Sequence, residues 1–238
     1  MKVLGFDTSS IVATAAVVDD EKLVCECIIN NKKNHSEKLL PLISEMLKNA
    51  EVALEELNGI AVAQGPGSFT GLRIGAATAK GLAYALGIPL LGVPTLDGLA
   101  YNVKHFRGLI CPILNARRNQ VYTALYEGGL DSGFRRITDY MAVNIGKILD
   151  RIQSTGKRVI FLGDGLDVYR QHIAAQLKDK GVFASQAFNM PSAASVAMLG
   201  LEKLRKGLEQ SAFEFTPLYV RRSQAEIQYE KRKRERSN

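Results

Sequence analysis

The sequence predicts an α/β protein built as two lobes, each a mixed β-sheet flanked by helices. Three observations carry that prediction. Each half opens with three β-rich runs spaced to form hairpins. Each half then alternates helices with buried apolar strands, and 238 residues are enough to bury two such cores. The halves share the order of their elements without sharing a visible residue-level repeat.

In the first half, Val3-Leu4-Gly5-Phe6 and the run 12–18 are strand-like and are joined through Asp7-Thr8-Ser9-Ser10. Asp19-Asp20-Glu21 turns into a third run over 23–29. Apolar residues at helical spacing predict a helix over 36–50, in which Pro41 calls for a shifted start or a kink. A buried strand follows over 59–63, Ser68 is placed to cap a helix reaching about residue 86, and 89–93 reads as another strand. The second half repeats this order. Three strands over 109–114, 120–126 and 134–140 precede helices near 145–153, 166–177 and 192–205, with strands at 159–162 and 182–187 between them. The first lobe is taken as residues 1–105 and the second as 106–216, with 217–228 placed as a return to the first lobe and 229–238 as a basic tail. This duplicated order is that of the actin-like (ASKHA, ribonuclease H-like) fold of ATPases and sugar kinases.

Composition narrows the function classes. At 46% hydrophobic and 23% charged residues, disordered and fibrous classes are excluded. The most apolar stretch, 81–96, contains Pro89 and Pro94 and is bracketed by Lys80 and Asp97, so no membrane span is expected. No secretory leader precedes Asp7, and a cytoplasmic protein is expected. Cys25, Cys27 and Cys111 form no redox or zinc spacing and read as small buried hydrophobes, while His35, His105 and His172 lie too far apart in sequence to suggest a metal site. From Tyr219 onward seven basic residues stand against three acidic ones, leaving 24 basic and 21 acidic for the rest. Within that tail Arg221, Arg222, Lys231, Arg232, Lys233 and Arg234 are the candidate contacts to a nucleic-acid backbone.

Two loops invite a phosphate. Asp7-Thr8-Ser9 offers one carboxylate and two hydroxyls at the end of the first strand, a set able to hold a hydrated cation and hydrogen-bond phosphate oxygens, or to close its own turn. The matching place in the second half, Asn115-Ala116-Arg117, lacks a charge where a metal-dependent phosphoryl transferase would be expected to offer one. Asp164, in Gly163-Asp164-Gly165 after a strand, is the remaining candidate for a nucleotide pocket, and the segment reads equally as a tight strand-to-helix turn. Gly65-Pro66-Gly67-Ser68-Phe69-Thr70-Gly71 precedes a helix but lacks the lysine and hydroxyl of a P-loop. Ser68 is not set in a nucleophile elbow, and no histidine can be assigned to it as a base.

Two helices look over-equipped for packing. Leu39, Leu42, Ile43 and Met46 make an apolar stripe on one, and Gly71, Gly75, Ala79 and Ala83 recur every four residues on the other, beside Arg73. These nine residues are the expected partner interface, against the alternative that the stripes pack on their own sheet.

Taken together, Leu4-Gly5-Phe6-Asp7-Thr8-Ser9, His35-Ser36-Glu37, the run from Gln64 to Gly75 and Pro217-Leu218-Tyr219-Val220-Arg221 resemble the TsaB family, with the Gly-Pro-Gly-Ser-Phe-Thr-Gly-Leu-Arg run the most specific part. The resemblance implies a non-catalytic subunit that pairs with the transferase TsaD through helices of its first lobe, joined by the ATPase TsaE. The complex transfers a threonylcarbamoyl group from threonylcarbamoyl-AMP to the adenosine beside the anticodon of tRNAs reading codons that begin with A. The chain alone is expected to hold no cofactor, with any nucleotide at the boundary with TsaD. Without that partner, the same face is expected to form a homodimer. A stand-alone ATPase or phosphotransferase, and less strongly a peptidase, are the alternatives.

Overall fold

The computed structural model describes residues 1–30, 35–130 and 133–221. In its first sheet β1 (Val3–Asp7), β2 (Val12–Val18) and β3 (Leu23–Asn30) form an antiparallel meander. After α1 (His35–Asn49), the strand β4 (Gly59–Gly65) joins β1 in parallel; after α2 (Phe69–Leu86), β5 (Leu90–Pro94) joins β4, giving the order β3-β2-β1-β4-β5. A short helix, α3 (Thr95–Tyr101), leads into the second sheet.

The second sheet repeats the pattern. Its β6 (Gly108–Asn115) pairs antiparallel with both β7 (Gln120–Thr123) and β8 (Tyr126–Gly128), which are two pieces of one strand run. The outer position is shared by β9 (Arg135–Arg136) on β8 and β10 (Met141–Asn144) on β7. Beyond α4 (Ile145–Thr155), β11 (Val159–Leu162) pairs in parallel with β6; beyond α5 (Leu166–Leu177), β12 (Gly181–Phe183) pairs with β11. The chain then forms α6 (Ala193–Arg205).

Period-two alternation decides which layer covers which face. Leu4, Phe6, Ile60 and Val62 point to the side filled by α1 and α2, while Val3, Ala61 and Ala63 point to the side filled by α6. Both faces are buried, which is why these strands are apolar except at Asp7 and Gln64 near their C-terminal ends. On the second sheet α4 and α5 cover one face and α3 the other.

The helix read over 192–205 as the close of the second lobe therefore needs correcting: α6 lies on the first sheet. Gly5 and Gly200 make that packing tight, since a Cβ on either would come within 2.7 Å of Ala197 and 2.4 Å of Ala61 respectively. The segment 210–221 also lies along the first lobe. Phe215 is buried in its core, Gln210 bridges to Leu90, and the Leu218 N–H donates to the Gln64 carbonyl at 2.7 Å.

Three further differences have local causes. The run 120–126 is interrupted at Ala124-Leu125, where Leu125 N–H donates to Thr138 Oγ1 instead of to the ladder. The strand expected over 134–140 is two short strands on either side of 137–140. The helix α1 keeps its start and runs through Pro41, which sits on its exposed side.

A polar joint ties α3 to the second sheet. Asp97 accepts hydrogen bonds from the Tyr126 hydroxyl at 2.7 Å and the Tyr140 hydroxyl at 2.8 Å. The Tyr126 ring stacks on Phe134, and the Arg136 guanidinium lies 3.9 Å over the Tyr140 ring. Burial holds both phenols above their ordinary range, and the Asp97 charge adds to that. Lys203 donates to the Gly92 carbonyl nearby; its ammonium is shifted down by burial, against the pull of Asp97.

Cys111 is fully buried on β6, with Sγ 3.4 Å from Thr123 Oγ1, and burial pushes its thiol up to about 12. Native protein at about pH 8 is expected to leave Cys111 unmodified by a thiol reagent until denaturant is added. Rapid labelling of Cys111 in the folded chain would contradict that placement.

Candidate functional site

The Asp7-Thr8-Ser9 loop ends β1 and meets the start of α2 directly. Asp7 Oδ1 accepts the Ser9 N–H at 2.6 Å. Thr8 Oγ1 donates to the Gly71 carbonyl at 2.7 Å, and the Ser68 N–H donates to the Ser9 carbonyl at 2.6 Å. Ser68 Oγ accepts the Gly71 N–H, so this hydroxyl caps the helix. All three residues of the loop are 2% exposed.

The glycines are what let the two segments touch. A Cβ on Gly71 would stand 1.9 Å from the Thr8 carbonyl oxygen, and one on Gly67 would stand 2.5 Å from that of Ser9. The glycine-rich run is thus a seat for the chain's own loop. Of the groups read as ligands of a phosphate-bound cation, the Thr8 hydroxyl is turned to the start of α2 and Asp7 Oδ1 closes its own turn. Ser9 Oγ is the exception, buried with no hydrogen-bond partner among the described residues.

In the second lobe the equivalent loop is built differently. Residues Arg117, Arg118 and Asn119 all have left-handed φ values of 61°, 53° and 57°, and Asn115 Oδ1 accepts the Arg117 N–H at 2.9 Å. Asp164 Oδ1 accepts the Asn115 N–H at 2.8 Å, and burial raises the Asp164 carboxyl above the usual carboxylate range. Each of the two candidate carboxylates gives one oxygen to the chain's own backbone, Asp7 to its turn and Asp164 to the neighbouring strand. Among the described residues no three His, Cys, Asp or Glu side chains are placed to hold a metal ion.

The expected partner stripe is also corrected. Leu39, Leu42, Ile43 and Met46 are buried in the first lobe's own core, as are Ala79 and Ala83. Gly75 faces Thr8, whose Oγ1 would lie 2.7 Å from an added Cβ. The periodicity was that of a core face. Among the residues that α1 and α2 expose are Leu40 on the first, and Phe69, Arg73, Ala77, Gly81 and Tyr84 on the second.

The C-terminal segment lies across this outward face. The Tyr219 ring packs on Phe69 with centroids 5.1 Å apart, and the Arg73 guanidinium sits 3.9 Å over Phe69. Gln64 Nε2 donates to the Thr216 carbonyl, and Arg221 reaches Gln120 of the second lobe at 3.4 Å. Of the tail cations, Arg222, Lys231, Arg232, Lys233 and Arg234 lie outside the described residues.

Two sheets of one topology, each opened by an antiparallel meander and completed by parallel strands, define an actin-like protein. The Acidaminococcus fermentans (R)-2-hydroxyglutaryl-CoA dehydratase component A shares this fold at a TM-score of 0.52 and 12% identity, over 86% of this chain and 99% of that one. A Pseudomonas aeruginosa structure described as an uncharacterized protein with similarity to peptidase YeaZ superposes with a TM-score of 0.80 at 25% identity, covering 92% of this chain and 99% of that one. In sequence, residues 22–229 match the family described as TsaD, tRNA N6-adenosine threonylcarbamoyltransferase. The Bacillus subtilis tRNA threonylcarbamoyladenosine biosynthesis protein TsaB is 36% identical over 231 residues, 96% of this chain and 98% of that protein. The chain belongs to the TsaB family. Among its described residues no helix is long and apolar enough to cross a membrane.

Proposed function

We propose that this chain is a non-catalytic subunit in the formation of threonylcarbamoyladenosine in tRNA, pairing with a TsaD-type transferase and working with a TsaE-type ATPase. The family membership supports the pathway, since the B. subtilis relative that carries this role in its name is matched end to end. The observation that carries the non-catalytic part is the buried Asp7–Ser9 loop, in which Asp7 Oδ1 holds the turn while the Thr8 hydroxyl and the Ser9 carbonyl bond to the start of the chain's own α2. Any nucleotide is placed at the boundary with the transferase.

The pairing surface in this reading is the outward side of α1 and α2. Gly81 is exposed there, and a Cβ on it would meet nothing within 4 Å. A glycine inside a helix costs about 1 kcal/mol relative to alanine. With no intramolecular neighbour to account for it, close approach by a partner backbone does. Gly81→Leu is expected to leave a folded monomer and to cut co-purification with the transferase at least tenfold. Co-purification at wild-type yield would move the interface elsewhere. Alone, the chain is expected to form a two-fold homodimer through the same face, and Gly81→Leu to shift it to monomer in sedimentation.

A further inference from the structure

One edge of the second sheet collects the starts of β6, β9, β11 and β12 and the end of β8. Gly108 pairs with Gly128, Leu109 with Val159, and Val159 with Gly181, so these strand ends are neighbours. The residues at that edge are cationic. Arg107 precedes β6, Lys157 and Arg158 precede β11, and Lys178 and Lys180 precede β12; Arg135 and Arg136 form β9, and all seven are exposed. The Leu109 N–H donates to the Arg158 carbonyl at 2.9 Å, which fixes the Arg107 and Arg158 segments side by side.

Their counter-charges are few. Glu127 pairs with both Arg135 and Lys157, and Asp179 is the other acidic residue of these described segments. Asp131 lies outside the described residues. The chain before Tyr219 carries 24 basic and 21 acidic residues, so this one edge holds more than its whole positive surplus.

The ordinary explanation is that cations sit where helices end and offset the helix dipole. It applies equally to the first lobe, which has the same topology. Yet the corresponding edge there bears Asp19, Asp20, Glu21, Glu55 and Glu56 against Lys2 and Lys22. The dipole does not distinguish the two edges.

We infer that the strand-start edge of the second lobe is a docking strip for the phosphate backbone of RNA. Five strand positions at a spacing of about 4.8 Å give a strip about 19 Å long, which faces several backbone phosphates at once. Four of the seven cations are arginines, whose planar forks suit phosphate oxygens. The inference rests on the tRNA reading above, which supplies the polyanion.

The test uses the full chain in complex with its transferase and an unmodified tRNA as probe. The variant is Arg107→Glu, Arg158→Glu, Lys180→Glu, all exposed positions, with unchanged thermal unfolding as the control for folding. Affinity is expected to fall at least tenfold at about 50 mM salt, and the slope of log affinity against log salt to flatten by about three, one for each phosphate no longer neutralised. The single change Arg158→Gln serves if the triple variant does not fold, with a slope change of about one. Wild-type affinity and slope in a folded variant would overturn the strip. So would anionic phospholipid vesicles losing the variant while tRNA holds it. A wild-type chain that supports modification while the folded variant binds tRNA normally sinks the strip alone. A wild-type chain that supports no modification sinks the tRNA reading itself.

Discussion

Gly71→Ala is expected to lower the melting temperature by about 10 °C, although the change adds one methyl group to a helix that alanine otherwise favours. The added carbon would lie 1.9 Å from the Thr8 carbonyl oxygen. That oxygen belongs to backbone, and the Thr8 side chain is itself bonded to the Gly71 carbonyl, so neither segment can retreat without breaking the seat. Overpacking of this kind costs about 3 kcal/mol, and each kcal/mol moves the midpoint of a chain this long by about 2–4 °C. Gly81→Ala is the control in the same helix. Nothing in the same chain lies within 4 Å of its added carbon, so the monomer is expected to gain about 0.5–1 kcal/mol. Thermal unfolding by circular dichroism separates the two. Equal midpoints for Gly71→Ala and wild type would show that the loop and α2 are not seated as described.

The second large effect belongs to the joint at Asp97. Asp97→Ala leaves the hydroxyls of Tyr126 and Tyr140 without their acceptor, and Lys203 without the carboxylate that favours its charge. Two stranded phenols cost about 1–3 kcal/mol each, so a loss of about 4 kcal/mol is expected, with Asp97→Asn retaining part of it. A pH dependence follows from the same groups. Both phenols titrate higher in the folded chain than in the unfolded one, burial being the larger cause and Asp97 the next. Their contribution is therefore complete below the unfolded tyrosine value of about 10 and is lost as pH rises beyond it, because the unfolded chain releases its protons first. Two such groups give a decline approaching about 2.7 kcal/mol per pH unit. Unfolding midpoints measured from about pH 8 to pH 11 should fall steeply at the alkaline end in wild type and less steeply in the Tyr126→Phe, Tyr140→Phe double variant. Parallel curves would remove the joint as a source of stability.

Much of the fold was legible because period-two and period-3.6 apolar patterns survive wherever an element has a water-facing side. The helix α5 and the cap Ser68 were read at the residues where they occur. The helix α3 was missed because it has no polar face to give it a period: six of its seven residues are buried between the two sheets. The lobe assignment of α6 was misread because sequence order favours the nearest sheet, and nothing in 193–205 marks a return to β1. The site was harder still. Spacing alone showed that Gly71, Gly75, Ala79 and Ala83 share a face; which side that face meets is settled only by Thr8 and the first-lobe core. Asp97, Tyr126 and Tyr140 come from distant segments, and no local pattern joins them.

The most direct test of the central claim is reconstitution of tRNA modification with purified TsaD-type transferase, TsaE-type ATPase, ATP and a source of threonylcarbamoyl-AMP, with and without this chain. Modified adenosine that forms only when the chain is present, with no nucleotide turnover by the chain alone, is the predicted result. Equal product in its absence, or ATP hydrolysis by the isolated chain that is lost in Asp7→Ala, would contradict the account of a closed loop on a partner subunit.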